Sequence, residues 1–205
     1  MKSSKALFLD RDGTILKEVP GTDADNPDLL GYLTKVEQVE LIENAGPAIS
    51  KARKLGYKTI IITNQSAFAR GLLTEVGFEK INQKMYRLLK EADPGAIIDD
   101  LFYCPYFKEG IIEKYRKDTS YRKPGIGMIK AAEEKYNIDL PVSYFIGDSY
   151  TDMKTGVNAG TKNILVLTGY GKIAYKKCLD EKLKIDFIAD NILEAVKYIE
   201  KNDLS

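Results

Sequence analysis

Short apolar runs that stop abruptly at polar residues punctuate this chain. Ala6-Leu7-Phe8-Leu9 runs into Asp10, Ile60-Ile61-Ile62 into Thr63-Asn64, and Tyr144-Phe145-Ile146 into Gly147-Asp148. Near-continuous apolar runs with β-branched and aromatic residues predict strands covered on both faces. Strands are expected over Lys5–Asp10, Tyr57–Thr63, Asp100–Tyr106, Val142–Ile146 and Asn163–Leu167, with a short one at Asp186–Ala189. Helix-like segments separate them. Ala48–Leu55 follows Pro47 at a plausible first helical position and is stopped by Gly56. Thr74 can cap a long helix to about Ala92, ended by Asp93-Pro94-Gly95. Pro124–Tyr136 has helical spacing, Thr151–Ala159 is closed by Gly160, and Asn191-Ile192-Leu193-Glu194 resembles a capping box. Strands alternating with helices imply right-handed crossovers and a mainly parallel α/β sheet with helices on both faces. Leu16–Glu40 lacks periodicity and carries Pro20-Gly21 and Asn26-Pro27, so a long loop or small flap is expected there. With no internal repeat or linker, residues 1–205 are expected to form a single domain.

Composition narrows the chemistry. The 31 basic and 30 acidic residues nearly cancel, which argues against a broad nucleic-acid or membrane surface. The N-terminal apolar run is cut by Asp10, too early for a signal peptide, and no run has the length of a membrane span. Cys104 and Cys178 lie far apart and suggest reduced thiols. A cytoplasmic protein is expected. The chain has no histidine, which excludes Ser-His and Cys-His machinery and any His-ligated metal. Acid–base chemistry then falls to carboxylates, Lys, Tyr or Cys. A metal site would be oxygen-rich, favouring Mg²⁺ over Zn²⁺.

In parallel sheets, ligands sit beyond the carboxyl ends of the strands. The chain's polar clusters fall at or near such ends. In Asp10-Arg11-Asp12-Gly13-Thr14, two carboxylates one residue apart ask for a hard cation; one acid can then attack phosphorus and the other shuttle a proton. The same letters also suit a strand running into a turn. Thr63-Asn64-Gln65-Ser66 offers donors for a phosphate oxygen, or simply starts a polar loop. Arg122-Lys123-Pro124-Gly125, expected to open a helix, makes an anion site at its positive end, or two solvated cations. Gly147-Asp148-Ser149-Tyr150-Thr151-Asp152 delivers two further acids, of which Asp152 also suits a helix cap.

The order acid-x-acid, Thr, Lys, then Gly-Asp with a second Asp resembles the motifs of the haloacid dehalogenase superfamily. The resemblance implies a Rossmann-like core, Mg²⁺ dependence and phosphoryl transfer through an aspartyl-phosphate. The wording of Asp10–Thr14, of Thr63-Asn64-Gln65-Ser66-Ala67-Phe68-Ala69-Arg70-Gly71 and of Arg122-Lys123-Pro124 is similar to the heptose bisphosphate phosphatase and histidinol-phosphatase family, from about Lys5 to Gly160. That family is essentially capless, and no inserted domain is evident here. The resemblance makes Asp10 the nucleophile and Asp12 the general acid–base, with other acids expected around Asp12. It places Thr63 and Asn64 on phosphate oxygens, with Gln65 and Ser66 beside them. Lys123 neutralises charge. Asp148, with Asp10 and the carbonyl of Asp12, would ligate Mg²⁺, and Asp152 would orient Lys123 or a metal-bound water. Arg122 is the expected contact to a distant substrate group, and Arg70 a weaker candidate. Relatives of this family carry a structural zinc loop. Here Tyr106, Thr119 and Tyr121 replace all of its ligands but Cys104, so no zinc is expected and Tyr106, Phe107, Tyr115 and Tyr121 should pack the loop. The expected partner is a small phosphorylated metabolite, with heptose 1,7-bisphosphate first and histidinol phosphate next. A DNA 3′-phosphatase fits the charge less well. A catalytically silent phosphate-binding relative is the reading from another class. A monomer with no nucleic-acid or membrane partner is expected.

Overall fold

The computed structural model describes residues 3–19, 21 and 31–203. Its strands are β1 (Ala6–Leu9), β2 (Lys58–Asn64), β3 (Asp100–Cys104), β4 (Tyr144–Gly147), β5 (Lys162–Val166) and β6 (Phe187–Ala189). They form one parallel six-stranded sheet in the order β3-β2-β1-β4-β5-β6. The helices are α1 (Ala45–Lys54), α2 (Glu75–Ala92), α3 (Gly127–Tyr136), α4 (Tyr150–Ala159), α5 (Gly171–Asp180) and α6 (Ile192–Asp203). This is the Rossmann-type α/β architecture. Strand side chains alternate between two cores. Leu7 and Leu9 pack with Ile49 of α1, Met85 of α2 and Val196 of α6. Ala6 and Phe8 pack with Met128, Ile129 and Ala132 of α3. Met153 of α4 and Ala174 and Cys178 of α5 pack with Leu165 of β5.

The strand order reverses between β1 and β4, the place where such sheets open a crevice. Leu9 is level with Ile61 of β2 and Ile146 of β4. Asp10 and Asp148 therefore leave the sheet beside the last residues of β2, where Thr63 lies. Among the described residues, the stretch after β1 holds only loops, bridges and a 3-10 turn, so loops rather than a separate cap cover this end. The expected flap is partly seen: the Lys17 N–H donates to the Glu40 carbonyl at 2.9 Å and the Gly31 N–H to Val19 at 2.7 Å. Pro20 and Asn26-Pro27 lie outside the described residues.

Several boundaries move for physical reasons. Helix α1 begins at Ala45, ahead of Pro47, because the first turn leaves its N–H groups without intrahelical acceptors anyway. Helix α3 begins at Gly127, not Pro124. Arg122–Gly125 instead closes a turn, the Gly125 N–H donating to the Arg122 carbonyl at 2.7 Å. Lys123 is thus not at a helix start. Helix α5 was not expected: its buried residues are only Gly171, Ala174 and Cys178, too small and few to read as an apolar stripe. Thr74 caps α2, accepting from the Gly77 N–H at 3.0 Å. Gly160 ends α4 at φ 80°. Asn191 caps α6, accepting from Leu193 and Glu194, while Glu194 pairs with Lys197 instead of returning the bond. No helix among the described residues is long and apolar enough to cross a membrane.

Candidate active site

A cleft of about 880 Å³ opens at the carboxyl ends of β1, β2 and β4 and is lined by Asp10, Asp12, Thr63, Asn64, Gln65, Lys123 and Asp148, among others. At its floor the Lys123 ammonium is 2.8 Å from Asp10 Oδ1 and 2.5 Å from Asp152 Oδ1, and it also donates to the Ile62 carbonyl at 2.9 Å. These three acceptors match the three donors of an ammonium. Lys123 is buried, and burial works against its charge. Asp10 and Asp152 outweigh that cost and hold its pKa above the ordinary lysine value. The Asn64 side chain fixes the lysine's backbone, donating to the Lys123 carbonyl at 3.1 Å and accepting from its N–H at 3.0 Å. The Asn64 side chain is thus engaged with Lys123.

Asp152 serves two expectations at once. Its Oδ2 accepts from the backbone and hydroxyl of Ser149, forming a capping box on α4, while Oδ1 takes Lys123. Asp148 is buried, and its Oδ2 accepts from the Tyr170 N–H at 2.8 Å. Gly13, at φ 82°, and Gly169, at φ 50°, crowd that carboxylate so closely that a Cβ on either would come within 2.1 Å of Asp148 Oδ2. Only glycine fits there. Burial, then Asp152, raises the pKa of Asp10 to about 7 despite Lys123. Burial, then Asp10 and Asp152, raises that of Asp148.

Asp10, Asp148 and Asp152 each offer an oxygen within 4.8 Å of the others. Hard oxygen donors, several ionisable acids and no nitrogen or sulfur suit Mg²⁺. Both Asp152 oxygens already accept protein hydrogen bonds, so Asp10 and Asp148 are the better direct donors.

Asp12 differs from the reading that surrounds it with acids. Its closest partner is Arg11, whose Nε and Nη2 fork onto its two oxygens at 3.0 and 2.8 Å. Gln65 Nε2 donates to Asp12 Oδ2 at 2.9 Å and to Thr63 Oγ1 at 3.0 Å. Gln65 thus links two site residues. Ser66 and Arg122 are not among the residues lining the cleft. Arg122 donates to the Tyr106 carbonyl at 3.2 Å and lies over the Phe107 ring at 5.1 Å. Arg70 does line the cleft and approaches the same ring at 4.7 Å. Two guanidiniums therefore share Phe107 at the rim, a pairing no sequence spacing announces. Glu18 also faces the cleft, its pKa raised to about 8 by burial and then by Asp12 and Asp10. It sits in the aperiodic stretch after β1, where no pattern marks it.

The loop after β3 is packed by aromatic rings and cations. Tyr115 lies 5.5 Å from Phe68 and 6.3 Å from Tyr106, Lys117 sits over Tyr106 at 3.8 Å, and Tyr121 joins the α3 core. The Tyr115 hydroxyl and Lys114 both donate to Glu75 of α2 at 2.8 Å.

Known proteins resemble this chain in sequence and fold. The HAD-hydrolase-like family model matches residues 120–195. D-glycero-D-manno-heptose-1,7-bisphosphate 7-phosphatase of Chlorobaculum tepidum is 35% identical over 201 residues, covering 96% of this chain and 94% of its own. The D-glycero-beta-D-manno-heptose-1,7-bisphosphate 7-phosphatase of Escherichia coli K12 is 38% identical over 170 residues, covering 82% of each chain. In fold, the D,D-heptose 1,7-bisphosphate phosphatase of B. bronchiseptica, solved with magnesium and phosphate, superposes with a TM-score of 0.80 at 24% identity, over 97% of this chain and 99% of its own. The chain belongs to the D-glycero-D-manno-heptose-1,7-bisphosphate 7-phosphatase family of haloacid dehalogenase-like hydrolases.

Proposed function

We propose that this protein hydrolyses a phosphate ester of a small sugar bisphosphate, D-glycero-D-manno-heptose 1,7-bisphosphate, through a phosphoenzyme on Asp10. The observation that carries the reading is Lys123 bridging Asp10 and Asp152, with Asp148 beside them, at the crevice between β1 and β4. A carboxylate attacking an anionic phosphate meets strong repulsion, and Lys123 offsets charge on both partners. Mg²⁺, held by Asp10, Asp148 and the Asp12 carbonyl, supplies further charge neutralisation when bound. Asp10 forms the new bond to phosphorus while Asp12 gives a proton to the departing alkoxide. Asp12 then takes a proton from the water that displaces Asp10, so the enzyme ends as it began. Thr63 binds a phosphate oxygen. Asp152 holds Lys123 in place.

Arg70, which lines the cleft and shares the Phe107 ring with Arg122, is our candidate contact to a second phosphate, because a guanidinium fork reads that group well. The aromatic packing of the loop after β3 supports a loop that needs no zinc. The chain is read as a monomer acting on a soluble metabolite.

The test is a Mg²⁺-dependent phosphate-release assay against phosphorylated sugars, amino alcohols including histidinol phosphate, and nucleotides. The heptose bisphosphate should give the highest kcat/KM. Asp10→Asn should abolish turnover with the fold intact by circular dichroism. Turnover retained in Asp10→Asn defeats the nucleophile; an inactive parent protein favours a silent phosphate-binding relative.

A further inference from the structure

Arg11 lies between the two aspartates of the first motif and is completely buried. Its guanidinium spans two elements. Nε and Nη2 engage Asp12 Oδ1 and Oδ2, and Nη1 donates to Asn82 Oδ1 of α2 at 3.1 Å. The guanidinium carbon sits 5.2 Å from the centre of the Phe78 ring, also on α2. Asn82 is itself buried. Burying a guanidinium is costly unless its partners compensate. A residue that merely filled this space would be apolar. The loop after β1 and helix α2 thus meet through a charge whose main partner is a carboxylate facing the cleft.

The fork treats the two oxygens of Asp12 differently. Oδ2 accepts from both Arg11 Nη2 and Gln65 Nε2, whereas Oδ1 accepts from Arg11 Nε. A carboxylate oxygen has two lone-pair directions. Oδ2 is filled, and Oδ1 keeps one direction open. We propose that Arg11, anchored by Asn82 and Phe78, is the positioning residue of the acid–base group: it fixes the Asp12 carboxylate so that Oδ1 meets the leaving oxygen. The proposal rests on the acid–base reading of Asp12 given above. In the first step the proton passes from Asp12 to the ester oxygen as the P–O bond breaks and the Asp10–phosphorus bond forms. In the second, Asp12 takes the proton of the attacking water as the Asp10–phosphorus bond breaks. Arg11 changes neither balance; it sets direction.

A positioning role has a signature that general damage lacks. p-Nitrophenolate leaves without a proton, whereas an alkoxide needs one. For each substrate, kcat/KM reports the steps up to phosphoenzyme formation. Asn82→Ala, which removes the outer anchor, should lower kcat/KM for a primary alkyl phosphate by about tenfold or more, given that small misplacements cost up to about 10²-fold. With p-nitrophenyl phosphate the change should stay within about threefold, since general-acid help is not needed there. Asn82→Asp keeps an acceptor for Nη1 and should restore the alkyl reaction. Arg11→Lys should show the same substrate split more strongly, and its folding is checked separately by circular dichroism. Equal losses on both substrates in Asn82→Ala, or no loss on either, overturn the positioning role. Asp12→Asn separates the two readings. If it spares the alkyl phosphate, the acid–base assignment fails and the Arg11 proposal with it. If it removes alkyl turnover while Asn82→Ala shows no split, only the Arg11 proposal fails.

Discussion

At the scale of single residues, Lys123 carries the largest electrostatic burden. It is buried and bonded to Asp10, Asp152 and the Ile62 carbonyl. Lys123→Ala leaves two buried carboxylates facing each other and removes a preorganised contact to the transition state. A kcat loss of about 10²–10³ is expected, measured in steady state with saturating Mg²⁺; a loss under about tenfold makes Lys123 a structural cation only. Lys123→Arg should not rescue, because a planar fork cannot reproduce three converging contacts. The sequence disclosed Asp10, Lys123 and Asp148, since phosphoryl chemistry calls for these residue types at or beside strand ends. Arg11 and Glu18 escaped it. The role of Arg11 depends on Asn82, which lies 71 positions away, and Glu18 acquires its environment from the cleft alone. Glu18 gives a pH test. Its pKa is about 8 in the folded protein against an ordinary 4.5, so between those values the folded state keeps a proton that the unfolded state has lost. Stability from this group therefore falls as pH rises through that window. In chelator-treated protein, Glu18→Gln should flatten the decline of the urea midpoint across it. Equal slopes in parent and variant would show that Glu18 ionises normally.

At the scale of elements, signals within one segment were readable and signals between segments were not. Thr74 and Gly160 end their helices as their side chains dictate. Thr74→Ala should cost about 1 kcal/mol by urea unfolding, because the Gly77 N–H loses its acceptor; Thr74→Ser keeps that acceptor and should be as stable as the parent. A Thr74→Ala variant as stable as the parent would mean that water caps α2 equally well. Arg122–Gly125 misled for the opposite reason. Its residues resemble a helix start, yet Asn64, far off in sequence, grips the Lys123 backbone and the chain turns before α3 begins. Helix α5 hides because the sheet asks it for little apolar area, so its sequence shows no stripe.

At the scale of the molecule, strand order decides where charge accumulates. The reversal between β1 and β4 brings Asp10, Asp148 and Asp152 together, and Glu18 and Asp12 face the same cleft. At the cleft floor Lys123 cannot by itself balance Asp10, Asp148 and Asp152 once all three are ionised, although the chain as a whole carries only +1. Without a cation the folded state keeps a concentrated negative site that the unfolded chain would disperse. A divalent ion that binds only the folded chain stabilises it by RT ln(1 + [L]/Kd), about 2.7 kcal/mol at a hundredfold excess over Kd. Mg²⁺ should therefore raise the urea midpoint, and Asp148→Asn should change both ends of that comparison. Asparagine can still accept from the Tyr170 N–H through its carbonyl, so the local hydrogen bond survives. Removing the charge relieves repulsion with Asp10 and Asp152, so the metal-free variant should be at least as stable as the metal-free parent. Its stabilisation by Mg²⁺ should shrink sharply, because a principal donor is gone. Denaturation curves of parent and variant, with Mg²⁺ and with chelator, test both halves; an undiminished Mg²⁺ shift in Asp148→Asn would place the ion away from the end of β4.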